Sequence, residues 1–179
     1  MDFNIEPLCA ATATAYREHA ARHRAESGRG DPHFMPFAPE DSDGPRLVDL
    51  KKLVQPLEEP GWERRWIAQP AGQDQIVGHV DLKSDFLKTG IHRCELGIGI
   101  ERPFRGFGLG RELMLHAIAF ARAAPSLIWV DLRVFGHNTN ARKLYASLGF
   151  QETGVLQDRF RIEGTSIDDV LMSLRVADP

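Results

Sequence analysis

The chain has 179 residues, of which 42% are hydrophobic and 26% charged, proportions that fit one soluble globular domain and exclude wholesale disorder. A net charge of −3 supplies no general positive field, which argues against nucleic acid or an anionic membrane as a partner. Cys9 and Cys94 stand too far apart for a CxxC pair, so neither a disulfide scaffold nor a metal site is expected. The longest mostly apolar run, Leu113 to Ala121, falls far short of the roughly 20 residues of a membrane span, and Met1-Asp2-Phe3-Asn4 does not open a leader, which makes the cytoplasm the expected location.

An alanine-rich helix is predicted from about Leu8 to Ala25. On it, Arg17, Arg22 and Arg24 read as a solvated face, and His19 and His23 as surface histidines at i,i+4 spacing without an HExxH context. Gly28 to Pro45 reads as loop, with turns at Asp31-Pro32 and Asp43-Gly44-Pro45. Within it, His33-Phe34-Met35-Pro36-Phe37 carries too many large apolar side chains for open solvent; it packs over the core or lines a pocket. A second short helix fits Arg46 to Leu57. Strands are predicted at Trp62–Ala68 and Gln75–Leu82, and at Arg93–Ile100, where Cys94, Leu96, Ile98 and Ile100 face one way and Arg93, Glu95, Gly97 and Gly99 the other. A helix from about Gly108 to Ala124 repeats apolar residues at three- and four-residue steps and stops at Pro125. Leu127–Val134 is an apolar strand and Asn140–Leu148 a short helix, with Gly149 placed for a left-handed C-cap. Strands near Thr153–Ile162 and Ser166–Leu174, joined by Glu163-Gly164-Thr165, close the chain. The class is α/β (α+β) in a single domain, with a parallel strand–helix–strand crossover from Arg93 to Val134.

Between that strand and that helix runs Arg102-Pro103-Phe104-Arg105-Gly106-Phe107-Gly108-Leu109-Gly110-Arg111. Glycines here let main-chain N–H groups converge on an anion, and the helix N-terminus adds unpaired N–H groups and a positive dipole end. A phosphate or pyrophosphate is the natural ligand. A Walker loop is excluded, because Arg111-Glu112 follows Gly110 where Lys-Ser/Thr is required. A dinucleotide site, with Asp131 as the ribose-binding acid, needs GxGxxG rather than this GxGxG and an earlier βαβ unit. A glycine turn without ligand is the remaining alternative.

Arg105-Gly106-Phe107-Gly108-Leu109-Gly110 matches the Arg/Gln-x-x-Gly-x-Gly/Ala motif, and Asn138-x-x-Ala141-x-x-Leu144-Tyr145-x-x-x-Gly149-Phe150 looks like the second signature, of the GCN5-related N-acetyltransferases. The ending Ile167–Leu174 is similar to the last strand of many bacterial members. The resemblance covers about Gln75 to Leu174. It implies a central mixed, mostly antiparallel sheet, splayed at the acetyl-CoA site and flanked by helices. Residues 1–61 would supply helices and substrate loops, and 62–174 the sheet with its acetyl-CoA motifs. Acetyl-CoA would be the co-substrate, its pyrophosphate held by Arg105, Gly106, Phe107, Gly108, Leu109, Gly110 and Arg111, its pantetheine by main-chain groups of Ile98, Gly99 and Ile100 and by Asn138. For Asn138, helix capping is the alternative, a task Asn140 could take instead.

Transfer of an acetyl group from a thioester to an amine needs a neutral amine, and freeing one from a lysine-like ammonium at pH 7 costs roughly 4–5 kcal/mol. The carbonyl oxygen needs fixed donors as it gains charge, and the departing thiolate needs a proton. Tyr145 is the candidate acid, since a phenol stays protonated at neutral pH; packing on the apolar stripe of its helix is the alternative. Glu95 is the candidate base, against a surface carboxylate paired with Arg93 or binding substrate charge; His79, Asp81 and His92 are alternates. Cys94 points away from Glu95, so direct attack in a ternary complex is expected without a covalent enzyme intermediate. The resemblance implies a small amine or amino acid, or a protein N-terminus, as acceptor, the small acceptor being favoured. Related domains often pair as homodimers. A non-catalytic acyl-CoA sensor or interaction protein is the alternative of another class.

Overall fold

Residues 1–38 and 48–177 are described by the structure, a computed structural model. Its strands are β1 (Phe3–Pro7), β2 (Glu63–Pro70), β3 (Gly78–Ser84), β4 (Arg93–Ile100), β5 (Trp129–Phe135), β6 (Gln151–Ile162) and β7 (Thr165–Arg175). Its helices are α1 (Ala13–Ala25), α2 (Leu50–Val54), α3 (Leu109–Ala123) and α4 (Thr139–Ser147). The strands form one mixed sheet in the order β1-β2-β3-β4-β5-β7-β6. Every pairing is antiparallel except β4 with β5, the parallel junction that the crossover around α3 requires.

Strand parity gives the sheet two unlike faces. Trp66, Val80, Leu82, Cys94, Leu96, Val130, Leu132, Val170 and Met172 pack into one apolar core with Leu109, Leu113, Met114, Ala117 and Ile118 of α3. The other face carries Arg65, His79, Asp81, Glu95, Asp131 and Arg133, and α1 covers part of it through Tyr16 and Ala20, which cluster with Ile67 and Ile76.

Pairing of β4 with β5 covers only Arg93–Glu95 against Trp129–Asp131. Yet β3 pairs with β4 as far as Ile100, and β7 pairs with β5 as far as Phe135. The two strands therefore part beyond Glu95 and Asp131, and the sheet opens as a wedge toward the glycine loop.

Several sequence expectations need correction. The segment read as the start of a helix at Leu8 is preceded by an edge strand, β1, whose alternation Phe3-x-Ile5 is too short to stand out; its Pro7 is tolerated because an edge strand can spare a donor. The helix itself begins only at Ala13. Of the helix expected over Arg46–Leu57 only Leu50–Val54 forms, capped by the Asp49 side chain on the Lys51 N–H; Arg46 and the Asp43-Gly44-Pro45 turn lie outside the described residues. Asp131 is no ribose ligand: it pairs with Arg93 at 2.6 Å and accepts from the Ser173 hydroxyl at 2.5 Å, within a sheet that lacks the doubly wound order.

Candidate functional site

The wedge and the loop behind it line one cavity of about 1000 Å³. Gly106 and Gly108 hold φ of +84° and +87°, a left-handed backbone that L side chains resist. Gly108 is thereby the N-cap of α3. Among the described residues, the N–H groups of Gly106, Gly108, Leu109 and Gly110 have no main-chain acceptor, whereas the Phe107 N–H closes a turn over Arg105 and Gly106, and those of Arg111 and Glu112 turn back to the Gly108 carbonyl. Unpaired donors at a helix N-terminus make an anion cradle, the kind of site that can take a phosphate or pyrophosphate. Phe107 and Arg111 are exposed beside it; among the described residues Arg111 reaches only the Ser147 hydroxyl, at 3.4 Å. Gly110 is close-packed, since a Cβ there would meet Leu144 at 3.3 Å and Ile100 at 3.4 Å.

Along β4 the main chain divides its groups between two neighbours. The Glu101 N–H donates to the Val77 carbonyl, while the Ile100 carbonyl accepts from Arg105 Nε at 2.8 Å. Alternation then turns the main-chain groups of Ile98 and Ile100 into the wedge and those of Gly97 and Gly99 toward β3. Ile98 and Ile100 can pair with an extended amide-bearing arm. Gly99, grouped with them from the sequence, serves differently: a Cβ on it would lie 2.5 Å from the His79 ring and 2.7 Å from the His23 ring. Its bare backbone lets two imidazoles approach.

Arg105 is placed at the loop, but its guanidinium is engaged by the protein. Nη1 donates to Asp31 at 2.7 Å and Nη2 to Glu26 at 2.6 Å. Arg102 joins it on Asp31 at 3.0 Å. Burial pushes the Asp31 carboxyl up, but hydrogen bonds from Arg105 and Arg102 outweigh it and hold the group below its ordinary value. These bonds fasten a strap, residues 26–37, to the loop. Farther along, the Phe34 and Met35 N–H groups donate to Ser27, His33 Nε2 lies 3.1 Å from Glu163, and the His33 carbonyl lies 2.7 Å from His137 Nε2. The strap therefore bridges the two sides of the wedge, and His33, Phe34, Met35 and Pro36 line the cavity, the second of the two readings open for that segment.

Glu95 is exposed and stands at the last paired position of β4, where the wedge opens. Arg93 takes Asp131 instead, through Nε at 2.7 Å and Nη2 at 2.6 Å. Tyr145 lines the cavity from α4 with 7% of its surface exposed, and burial pushes its phenol up to about 12. Among the described residues its hydroxyl makes no hydrogen bond. Asn138 also lines the cavity, but its Oδ1 caps α4 by accepting the Ala141 N–H at 3.2 Å, which leaves only its amide N–H groups for a ligand. Cys94 is buried on the opposite face, and burial pushes its thiol up to about 12, far from a nucleophile's range.

Sequence reasoning misplaced one cluster. His19 and His23 are not surface histidines: they are 0% and 6% exposed. His19 Nδ1 bonds Glu101 at 2.7 Å, and its Nε2 meets His79 Nδ1 at 2.8 Å. Arg22 is exposed, as is Arg17, but it is also paired: its Nε donates to both Glu101 oxygens at 3.1 Å and its Nη2 to the Ile76 carbonyl at 2.9 Å. Arg24 stacks on Phe37, 4.5 Å from the ring centre. Burial drives the His79 imidazole well below its ordinary range, and burial with the neighbouring His19 takes His23 down to about 3. The signal was present as i,i+4 histidines on a helix with a weak apolar stripe: the face that packs on the sheet is the polar one. His79, Asp81 and His92 are not among the residues lining the cavity, whereas His23 is.

Comparisons with known proteins agree with this geometry. The model of the acetyltransferase (GNAT) family matches residues 33–150. The [ribosomal protein uS5]-alanine N-acetyltransferase of Escherichia coli is 28% identical over 106 residues, 59% of this chain and 54% of that protein. N-alpha-acetyltransferase RimI of Mycobacterium tuberculosis is 33% identical over 67 residues, 37% of this chain and 40% of the relative. The chain thus spans about half the length of the curated relatives it matches first. Among solved structures, a GNAT-family acetyltransferase from Streptococcus pneumoniae superposes with a TM-score of 0.83 at 24% identity, covering 98% of this chain and 100% of the other. YncA, a putative acetyltransferase from Salmonella typhimurium solved with acetyl-CoA, gives 0.77 at 18% identity over 100% and 96% of the two chains. These structural likenesses bear on the fold. With the family match, the glycine motif at its loop and the splayed sheet taken together, the chain belongs to the acetyltransferase (GNAT) family.

Proposed function

We propose that the protein is an acetyl-CoA-dependent N-acetyltransferase that acetylates a primary amine by direct attack in a ternary complex. The observation that carries this reading is a single cavity holding an anion cradle at one end, Glu95 at the wedge apex and the Tyr145 phenol on the wall. The co-substrate supplies the activated acetyl group; the chain supplies the rest. The cradle and the exposed Arg111 hold the pyrophosphate, with the Phe107 ring beside it. Ile98 and Ile100 pair with the pantetheine amides, and Asn138 donates its amide N–H. Glu95 takes the ammonium proton, directly or through water, so that the nitrogen lone pair can attack. Tyr145 donates its proton to the departing sulfur as the thioester C–S bond breaks, and the second proton that the nitrogen loses on becoming an amide restores the phenol. Cys94, buried on the other face, takes no part.

The relatives' printed names include alanine N-acetyltransferases of ribosomal proteins, and one solved neighbour of similar fold is a spermidine N-acetyltransferase. This supports an amine acceptor without choosing between a small molecule and a protein N-terminus. The test is calorimetric titration of acetyl-CoA, followed by amine-dependent release of free thiol. Binding together with release supports the enzyme. Binding without release from a broad amine panel favours an acyl-CoA sensor, and absence of binding overturns both.

A further inference from the structure

One charged pair lining the cavity, on the sheet face that carries Glu95, is used neither by the cradle nor by the proposed acid and base. Asp169 of β7 is 2% exposed, and one of its carboxylate oxygens, Oδ2, has no hydrogen-bond partner among the described residues. Arg133 of β5 lies 3.3 Å from that oxygen, an ion pair without hydrogen-bond geometry, and its side chain is 43% exposed. Both residues line the cavity, as does Glu95. Burial pushes the Asp169 carboxyl up, opposed by Arg133 and Arg159. A buried carboxylate of this kind holds the guanidinium beside it by charge and leaves the guanidinium N–H groups free for a ligand.

The sheet sets the spacing. Glu95 pairs with Asp131, and Arg133 lies two residues farther on the same face of the neighbouring strand. Regular strand geometry puts the two Cα atoms about 8 Å apart, and more where the strands part. Two long side chains of opposite charge can thus close on a small group that carries an ammonium and a carbonyl one carbon apart. A polyamine gives Arg133 only a second positive charge to repel.

We infer that Arg133, oriented by Asp169, binds the carboxylate or carbonyl oxygen of the acceptor while Glu95 takes its amine, so that the acceptor is an α-aminoacyl compound: a free amino acid or the first residue of a peptide. The inference rests on the acetyltransferase reading and narrows it. Arg133 is a substrate-binding residue and Asp169 a positioning residue.

The experiment compares alanine, alaninamide, the dipeptide Ala-Ala, ethylamine and spermidine as acceptors for the wild-type chain and for Arg133→Gln, Arg133→Lys and Asp169→Asn. Thiol release is followed, together with calorimetry of each acceptor on CoA-saturated protein. The expected result is a preference for the alanine series over ethylamine and spermidine. Arg133→Gln should then raise the KM of the preferred acceptor at least tenfold, with kcat within about threefold and acetyl-CoA affinity unchanged, and Arg133→Lys should restore part of the loss. Asp169→Asn should follow Arg133→Gln in KM if it folds; the half-exposed Arg133 keeps the test valid if it does not. Preference for alanine alone indicates a free amino acid, and preference for the amide and dipeptide indicates a peptide N-terminus. Equal use of plain amines, or an Arg133→Gln effect equal for all acceptors, overturns the inference and leaves the transferase intact. Acetyl-CoA binding with no thiol release from any acceptor overturns the transferase reading, and the inference with it.

Discussion

Tyr145 and Cys94 show how burial divides two residues that chemistry could both recruit. Burial pushes each up to about 12, which keeps the phenol protonated and the thiol inert throughout the physiological range. An acid profits from this and a nucleophile does not. Tyr145→Phe is expected to lower kcat by about 10²-fold, in the range of a lost general acid, with acetyl-CoA affinity unchanged by calorimetry. Cys94→Ala should leave turnover within about twofold and cost about 1 kcal/mol in chemical denaturation, from the small cavity left behind. His23 gives a prediction in pH. Its folded-state value near 3 lies below the ordinary 6.5, so the folded chain binds fewer protons than the unfolded one, and the neutral imidazole's contribution, complete above pH 6.5, is lost as pH falls toward 3. Each unit is worth about 1.4 kcal/mol, so acidification from about pH 6.5 to 4.5 should remove up to about 3 kcal/mol. His23→Phe, which keeps a ring against Phe34, should reduce that dependence of the denaturation midpoint, the buried His79 retaining its own share; an unchanged slope would show that His23 carries none of it.

At the scale of elements, what the sequence made legible was what local chemistry enforces. The β4 alternation and the α3 stripe appear with bounds within one residue of expectation, because period and a terminating Pro125 determine them. The glycine loop was legible because positive φ has a residue signature: Gly108→Ala should cost about 1–2 kcal/mol of backbone strain and weaken acetyl-CoA binding about tenfold by misaligning the cradle. The candidate acid and base, Tyr145 and Glu95, were read from motif and parity, and both line the cavity. What stayed hidden depends on contacts far apart in the chain. Nothing around Arg105 announces that Glu26 and Asp31 will take its guanidinium. Nothing around His19 announces Glu101, 82 residues away. The polar face of α1 resembles a solvated face until the sheet it covers is known to be polar as well.

The whole molecule is held together across its opening by the strap as well as by the core. Arg105→Gln would leave Glu26 and Asp31 partly buried with fewer partners, a loss of roughly 1–3 kcal/mol. The thermal midpoint should fall by about 3–9 °C, and acceptor KM should rise as Phe34 and Met35 lose their position over the cavity. The parting of β4 from β5 also has a consequence in time. The Ile98 and Ile100 amides face the opening rather than a strand, so their hydrogens are expected to exchange with solvent much faster than those of Gly97 and Gly99, which are sealed against β3. An extended ligand laid along that edge would act as the strand the sheet omits there. Deuterium uptake at these two isoleucines, fast in the free protein and slow with CoA bound, would then report residue by residue how far the ligand reaches into the wedge.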